Sequence, residues 1–296
     1  MKTEYFFIIN PKSGLPRDND RITDKITRLF GRRAEIALTK RRGHALELAR
    51  NAVAKGVRRI VVAGGDGTLN EVLPAVCHTE CEIGLVPRGS GNGFAREIGL
   101  DLNPLDALDQ LSGLKPMAVD GGKFGRALFI NAAGIGLDAT VAQAFDEFSR
   151  RFIRGTLPYV PIVLKEYVNY APPPVTLRYR GHRERVAPLI LTFANSRQYG
   201  GGARIAPKAR INDGLLDVAL ISCAPPWLIA MKVPSLFAGT LDGGDIIRYF
   251  RVPSATLEFS RPVCYHVDGE PHMTEGRVDV KIMPGAFRFL VNPAAF

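Results

Sequence analysis

Residues 60–63, Ile-Val-Val-Ala, run straight into Gly64-Gly65-Asp66-Gly67, and this junction limits the fold more than any other stretch. This β-branched run, too short for a helix and followed by glycines, reads as a buried strand. Gly64, Gly65 and Gly67 turn the chain, and residues 69–73 (Leu-Asn-Glu-Val-Leu) resume in helical spacing. A strand, a glycine turn and a helix start together make an anion site. Glycine lets backbone N–H groups approach an oxyanion, and a helix N-terminus adds roughly half a positive charge. Asp66 within that turn has two readings. It suits phosphates if a divalent cation or its waters lie between, or it simply caps the helix.

The neighbouring segments repeat the pattern. Residues 5–9 are an apolar strand ending in the turn Asn10-Pro11-Lys12-Ser13-Gly14. Residues 19–31 read as a helix, 34–38 as a strand ending at Thr39-Lys40-Arg41-Arg42-Gly43-His44, and 44–56 as an amphipathic helix. Residues 83–86 form the next strand, followed by Pro87-Arg88-Gly89-Ser90-Gly91-Asn92-Gly93 and a helix from about residue 94. Strands alternating with helices predict an α/β domain with a parallel sheet, and the turns then gather at one sheet edge as a crevice for a phosphorylated ligand. There is no G-x-x-x-x-G-K-[ST] sequence and no spaced third glycine of a dinucleotide fingerprint.

After about residue 118 the rhythm changes. Strands are expected at 119–123, 127–133, 175–179, 186–194, 215–221, 256–259 and 278–282, with helical segments near 138–150, 157–170 and 225–238. Runs of strands without regular crossover helices predict a mainly antiparallel β-sandwich. The expected domains are 1–122 and 123–283, with 284–296 as a candidate return to the first. The 296 residues suffice for two such cores. Residues 171–174 (Ala-Pro-Pro-Pro) read as a stiff connector.

The net charge is +10, and residues 1–60 hold 15 Lys and Arg against 6 Asp and Glu. A basic face suits nucleic acid, an anionic membrane or a polyphosphate, and charge alone does not choose. Four scattered cysteines make no disulfide framework and point to a reducing cytosol. Cys77-His78-x-x-Cys81 lacks a second ligand pair for zinc. With no signal-peptide shape and no apolar run of about 18 residues, any membrane contact is expected to be peripheral.

Read together, six motifs resemble the diacylglycerol kinase catalytic family, which includes bacterial lipid kinases and sphingosine kinases. They are Asn10-Pro11-Lys12-Ser13-Gly14, the G-G-D-G-T-L-N-E of 64–71, Pro87-x-Gly89-Ser90-Gly91-Asn92, the N-A-A-G-I-G of 131–136, the N-D-G-L-L-D of 212–217, and Asp268-Gly269-Glu270-Pro271. The resemblance implies a two-domain, ATP-dependent lipid kinase related to NAD kinases, with ATP between the domains. The implied nucleotide-contacting residues are Asn10, Lys12, Ser13, Thr39, Gly64, Gly65, Asp66, Gly67, Thr68, Leu69, Asn70, Glu71, Ser90 and Asn92. It implies Mg²⁺ on Asp213 with the main-chain carbonyls of Arg210 and Leu215. Asp66 would hold a metal or its water, Lys12 or Arg88 would offset phosphate charge, and Glu270 would take the proton of the lipid hydroxyl.

Gly93 stands where many diacylglycerol kinases carry Asp, and the Gly-Ser-Gly-Asn form is shared with sphingoid-lipid kinases. The expected acceptor is therefore diacylglycerol or a similar lipid alcohol. The rivals are a sphingoid base or ceramide and, in a different class, a catalytically idle lipid-binding module.

Residues 157–170, behind Arg150, Arg151 and Arg154, and residues 227–238, with the single Trp, read either as core helices or as a lipid-facing entrance on an anionic membrane. His44 reads as a cap or nucleotide contact, His266 invites a catalytic reading, and 199–204 is a lid or an ordinary hairpin tip. The expected partners are a lipid substrate and the inner face of the membrane, without nucleic acid. The location is cytoplasmic, and a homodimer is the assembly allowed for.

Overall fold

The structure is a computed structural model, and it describes residues 3–14, 18–143, 166–167 and 169–296. The chain divides into two compact units. The first comprises Met1–Gly121, Gly200–Gly202 and Pro284–Phe296, and the second Gly122–Tyr199 and Ala203–Met283.

The first unit alternates strands and helices. In chain order these are β1 (Tyr5–Ile9), α1 (Asp18–Phe30), β2 (Ala34–Leu38), α2 (His44–Ala54), β3 (Arg59–Gly64), α3 (Asp66–Val76), β4 (Glu82–Pro87), α4 (Gly93–Glu97) and α5 (Pro104–Gln110). β1 pairs in parallel with β2 and β3, and β3 with β4. All of β1 and β4 is buried, as continuous apolar strands covered on both faces should be. Residues 284–296 complete this unit. Arg288 and Phe289 pair in parallel with Glu82 and Ile83 of β4, and the Phe289 ring meets that of Phe94 at 4.6 Å. Because the strands run one way, the turns after β1, β2, β3 and β4 share one sheet edge.

Helix α3 begins at Asp66, so Gly67 and Thr68 lie in its first turn rather than in the preceding loop. Side-chain periodicity starts at Leu69 because Gly67 has no side chain to mark it.

Within the second unit, Gly122–Met283, strands pair with their neighbours in antiparallel fashion. β7 (Ala132–Gly136) lies between β10 (Pro188–Ala194) and the Ser254–Val267 strand, while β11 (Leu216–Ser222) joins β10 to the Ile247–Val252 strand. Numbered in order, β5 is Lys115–Phe124, β6 Ala127–Phe129, β8 Val175–Tyr179, β9 His182–Val186, β12 Ile247–Val252, β13 Ser254–Val267 and β14 Glu270–Val291. The strand expected at 127–133 is broken at Asn131, and that at 186–194 begins at Pro188, which cannot donate to a ladder. The sheet has apolar side chains on both faces. Leu216, Val218 and Leu220 pack in one core, and Ala219 and Ile221 in another, with the period of two that a strand imposes.

Gly134 shows why β7 is built of small residues. A Cβ there would stand 2.5 Å from the Leu191 carbonyl oxygen, so the neighbouring backbone leaves no room for one.

Helix α6 (Pro226–Ala238) has no buried residue. Ile229 and Leu236 pack on the second core, and Trp227, Met231 and Phe237 are exposed. Of the segments expected to be helical, residues 137–143 are; 144–150, Arg150, Arg151, Arg154 and 157–165 lie outside the described residues.

Candidate functional site

In the first unit the turns at the carboxyl ends of β1, β3 and β4 interlock. The β3 and β4 turns touch through their glycines: a Cβ on Gly89 would lie 2.7 Å from the Gly65 Cα, and one on Gly64 2.7 Å from the Thr68 side chain. Asn10 donates from Nδ2 to Thr68 Oγ1 at 3.0 Å and accepts the Lys12 N–H at 3.0 Å, fixing the β1 turn to the start of α3. The N–H groups of Thr68 and Leu69 bond the Gly65 carbonyl, which leaves the Asp66 and Gly67 amides at the helix's anion-facing end.

Asp66 accepts the Gly93 N–H at 3.0 Å and the Phe94 N–H at 3.3 Å. Burial holds its carboxyl above the ordinary range, and these N–H bonds offset only part of that rise. Both oxygens therefore serve the start of α4, which makes Asp66 a positioning group for the 88–94 turn. The backbone amide of Gly93 is the group Asp66 holds most closely.

Arg88 is 4% exposed and donates from Nη1 to the Asn10 carbonyl at 3.1 Å. Its Nε and Nη2 find no acceptor among the described residues. Burial lowers its pKa, partly offset by Asp18. A buried guanidinium with two unmet donors, held among these turns, fits an oxyanion that accepts two hydrogen bonds side by side.

Among the other expected nucleotide contacts, several side chains are engaged by the scaffold. Leu69 is 2% exposed and belongs to the core. Glu71 accepts the Ala45 N–H at 3.2 Å and so caps α2, and Asn92 exchanges two hydrogen bonds with the Gly89 backbone at 2.7 and 2.8 Å. These three side chains face the scaffold. Lys12 and Ser90 are exposed, Ser13, Thr39 and Asn70 are half-buried, and Thr39 bonds the Ile9 carbonyl through its N–H. His44 accepts the Lys40 N–H on Nδ1 at 3.1 Å, closing the turn before α2.

In the second unit, β13 and β14 are joined by Asp268 and Gly269, both at positive φ (47° and 84°), with Val267 paired to Glu270. That is the turn for which Asp-Gly is suited. It sets half-buried Glu270 as the first residue of β14. The Asp268 carboxylate accepts N–H groups from Ile130, Asn131 and Ala132 at 2.9, 2.8 and 2.9 Å. Beneath it, buried Ser196 donates to Asn131 Oδ1 at 2.8 Å and buried Asn195 to the Ile130 carbonyl at 2.8 Å.

A second anchor stands beside the first. His266, 4% exposed, accepts the Gly269 N–H on Nδ1 at 3.4 Å and meets Asp138 Oδ2 through Nε2 at 3.0 Å. Nδ1 as acceptor assigns the ring proton to Nε2. Tyr199 donates to the same Asp138 oxygen. Burial alone would raise the Asp138 carboxyl, but His266, Tyr199 and the Ala139 N–H hold it below the ordinary range. Asp138 and Tyr199 escape sequence reading because they stand 128 and 67 residues from His266.

At Asp213 both carboxylate oxygens are engaged by neighbours. Its Oδ1 accepts the Leu215 N–H at 3.1 Å and its Oδ2 is bound by Arg251, whose Nε reaches Asp217 at 3.3 Å. Burial raises the Asp217 carboxyl, Arg251 lowers it, and Asp213 raises it again. The carboxylate oxygens are of the hard type that Mg²⁺ takes, and Arg251 engages one of those on Asp213. As arranged, Asp213, Asp217 and Arg251 form an arginine–carboxylate cluster. No trio of His, Cys, Asp or Glu side chains gathers as metal ligands among the described residues.

Comparison with known proteins agrees with this architecture. Residues 4–124 match the diacylglycerol kinase catalytic domain, and residues 131–291 match the YegS C-terminal NAD kinase beta sandwich-like domain. A Chromohalobacter salexigens protein named "Probable lipid kinase YegS-like" is 30% identical over 95% of this chain and 91% of its own. One of the same name from Pseudomonas syringae pv. tomato is 32% identical over 97% of this chain and 90% of its own. A crystal structure of a diacylglycerol kinase from Bacillus anthracis str. Sterne matches with a TM-score of 0.75 at 20% identity, covering 99% of this chain and 98% of that one. Another solved chain from that organism reaches 0.81 at 22% identity, with 99% of each covered. At those identities the two structures show the fold.

Proposed function

The chain belongs to the YegS-like lipid kinase family, and from that premise we propose that it transfers the γ-phosphoryl group of ATP to the hydroxyl of diacylglycerol or a similar neutral lipid alcohol. The observation that carries the nucleotide half of this reading is Arg88, whose Nε and Nη2 are buried without acceptors. Phosphate oxygens would satisfy both donors, and the Asp66 and Gly67 amides at the start of α3 would add a second set.

Phosphoryl transfer asks a protein mainly to position groups and offset charge. Magnesium enters this reading with the nucleotide, as MgATP, where it offsets phosphate charge. Glu270 takes the proton of the lipid hydroxyl as that oxygen bonds the γ-phosphorus and the bond to the β-phosphate oxygen breaks, leaving ADP. Asp268 and His266 fix the turn that aims Glu270.

Arg88→Met is expected to raise the KM for ATP by about 10- to 100-fold, the worth of one or two charge-assisted hydrogen bonds. The ligand-free protein should be no less stable, since two unmet buried donors are removed with it. An unchanged KM would count against Arg88 as a phosphate ligand.

The acceptor lives in a bilayer. No helix among the described residues is long and apolar enough to cross one. Exposed Trp227, Met231 and Phe237 on α6 support peripheral contact at the membrane surface. The direct test is transfer of labelled phosphate from ATP to a panel of diacylglycerol, monoacylglycerol, ceramide, sphingosine, phosphatidylglycerol and NAD. Label on diacylglycerol or monoacylglycerol is the expected result. Label on ceramide or sphingosine alone would replace the acceptor, and no label on any lipid would overturn the reading.

A further inference from the structure

A groove of about 660 Å³ opens on the second unit and uses none of the residues assigned above. Its cations are Lys123, Arg178, Arg180, Arg183 and Lys281, contributed by β5, the β8–β9 hairpin and β14. Its lining carboxylate, Asp279, is already committed: it accepts Thr256 Oγ1 at 2.7 Å and Arg277 at 3.2 Å, and these bonds hold it below the ordinary range. Arg178 pairs with Glu258 at 2.9 Å, whereas Lys123, Arg180 and Arg183 make no ion pair with a described residue.

Arg180 is the telling position. β8 and β9 are joined by Arg180 and Gly181, at φ 46° and 80°, with Tyr179 paired to His182. This turn favours Asn-Gly, because a non-glycine residue there must adopt the left-handed conformation. The second unit's other such turn uses Asp268-Gly269. Holding arginine in that conformation is strained, and strain held in place marks sites of use. Charges on β9 would by themselves deter edge-to-edge pairing. That need explains neither the concavity nor the cations brought from β5 and β14.

Arginine forks with lysines around a concave surface suit a phosphate dianion, which takes bidentate hydrogen bonds and carries about −1.5 to −2 charges as a monoester. We propose that this groove holds the phosphomonoester headgroup of an acidic lipid and so docks the second unit on membranes that contain one. The choice of a lipid over a soluble phosphate rests on the lipid kinase reading, whose product would be a lipid of this chemistry.

The test measures vesicle co-sedimentation of the full chain without ATP, so its outcome does not depend on catalysis. Vesicles are phosphatidylcholine alone, or with phosphatidylglycerol, or with phosphatidate. The parent should favour phosphatidate vesicles, and salt should weaken that binding. Arg180→Asn, which also relieves the strained turn, should lose about fivefold, and Arg180→Asn with Arg183→Ser about thirtyfold, at an unchanged or higher thermal midpoint. Equal binding by parent and double variant would overturn the proposal. So would saturable binding of inorganic phosphate, lost in the double variant, without vesicle binding; it would assign the groove to a soluble phosphoester.

Discussion

Glu270→Gln is expected to fold like the parent and to phosphorylate lipid on the order of 10³-fold more slowly, the usual worth of a positioned general base. The substitution keeps the shape and length of the side chain and removes only its capacity to take a proton. Glu270 opens β14 and is paired to Val267, so its backbone is set by the turn and the strand ladder. The KM for ATP should stay near the parent's, because the proposed phosphate donors belong to other residues. Circular dichroism and the thermal midpoint would confirm folding. A folded variant with a rate within about tenfold of the parent would remove Glu270 from the mechanism.

Asp268→Ala should be the more damaging substitution to the fold. One carboxylate receives three backbone N–H groups, those of Ile130, Asn131 and Ala132. Removing it leaves several partly buried donors to find water or go unmet, at about 1–3 kcal/mol for each one stranded. With partial rescue by water, a total loss of about 3 kcal/mol is expected, or about 5 °C in the midpoint for a chain of 296 residues. Asp268→Asn should recover only part of this, since an amide presents one acceptor oxygen where the carboxylate presented two. Activity should fall together with stability, because the same turn aims Glu270. An unchanged midpoint for the alanine variant would show that the three contacts do not fasten the turn.

The α/β and β-sandwich classes were legible because they rest on local pattern. Residues 5–9, 60–63 and 83–86 are apolar at every position, as parallel strands covered on both faces must be. The Asp-Gly of 268–269 likewise announces its turn, since few other pairs tolerate two successive positive φ values. Edge and irregular strands were harder. β9, His-Arg-Glu-Arg-Val, has little apolar face to reveal it. β13 shifts register between Phe259 and Val263, around Pro262, so its two halves do not read as one strand.

At the site, residue identity outran geometry. Asp66 and Glu71 could be found from their motif, but their backbone partners, at Gly93, Phe94 and Ala45, depend on how distant turns meet. Arg251 beside Asp213 and Asp138 beside His266 are long-range pairings of the same sort, with no local signal.

The pairing of Arg288 and Phe289 with β4 bears on how the protein matures. Synthesis proceeds from the N-terminus, and domains generally fold as they emerge from the ribosome. Here the first unit lacks its pairing on β4 until Arg288 and Phe289 have been translated. Nascent chains would therefore carry the Gly64–Asn70 strand-to-helix turn on an unfinished support until that pairing forms.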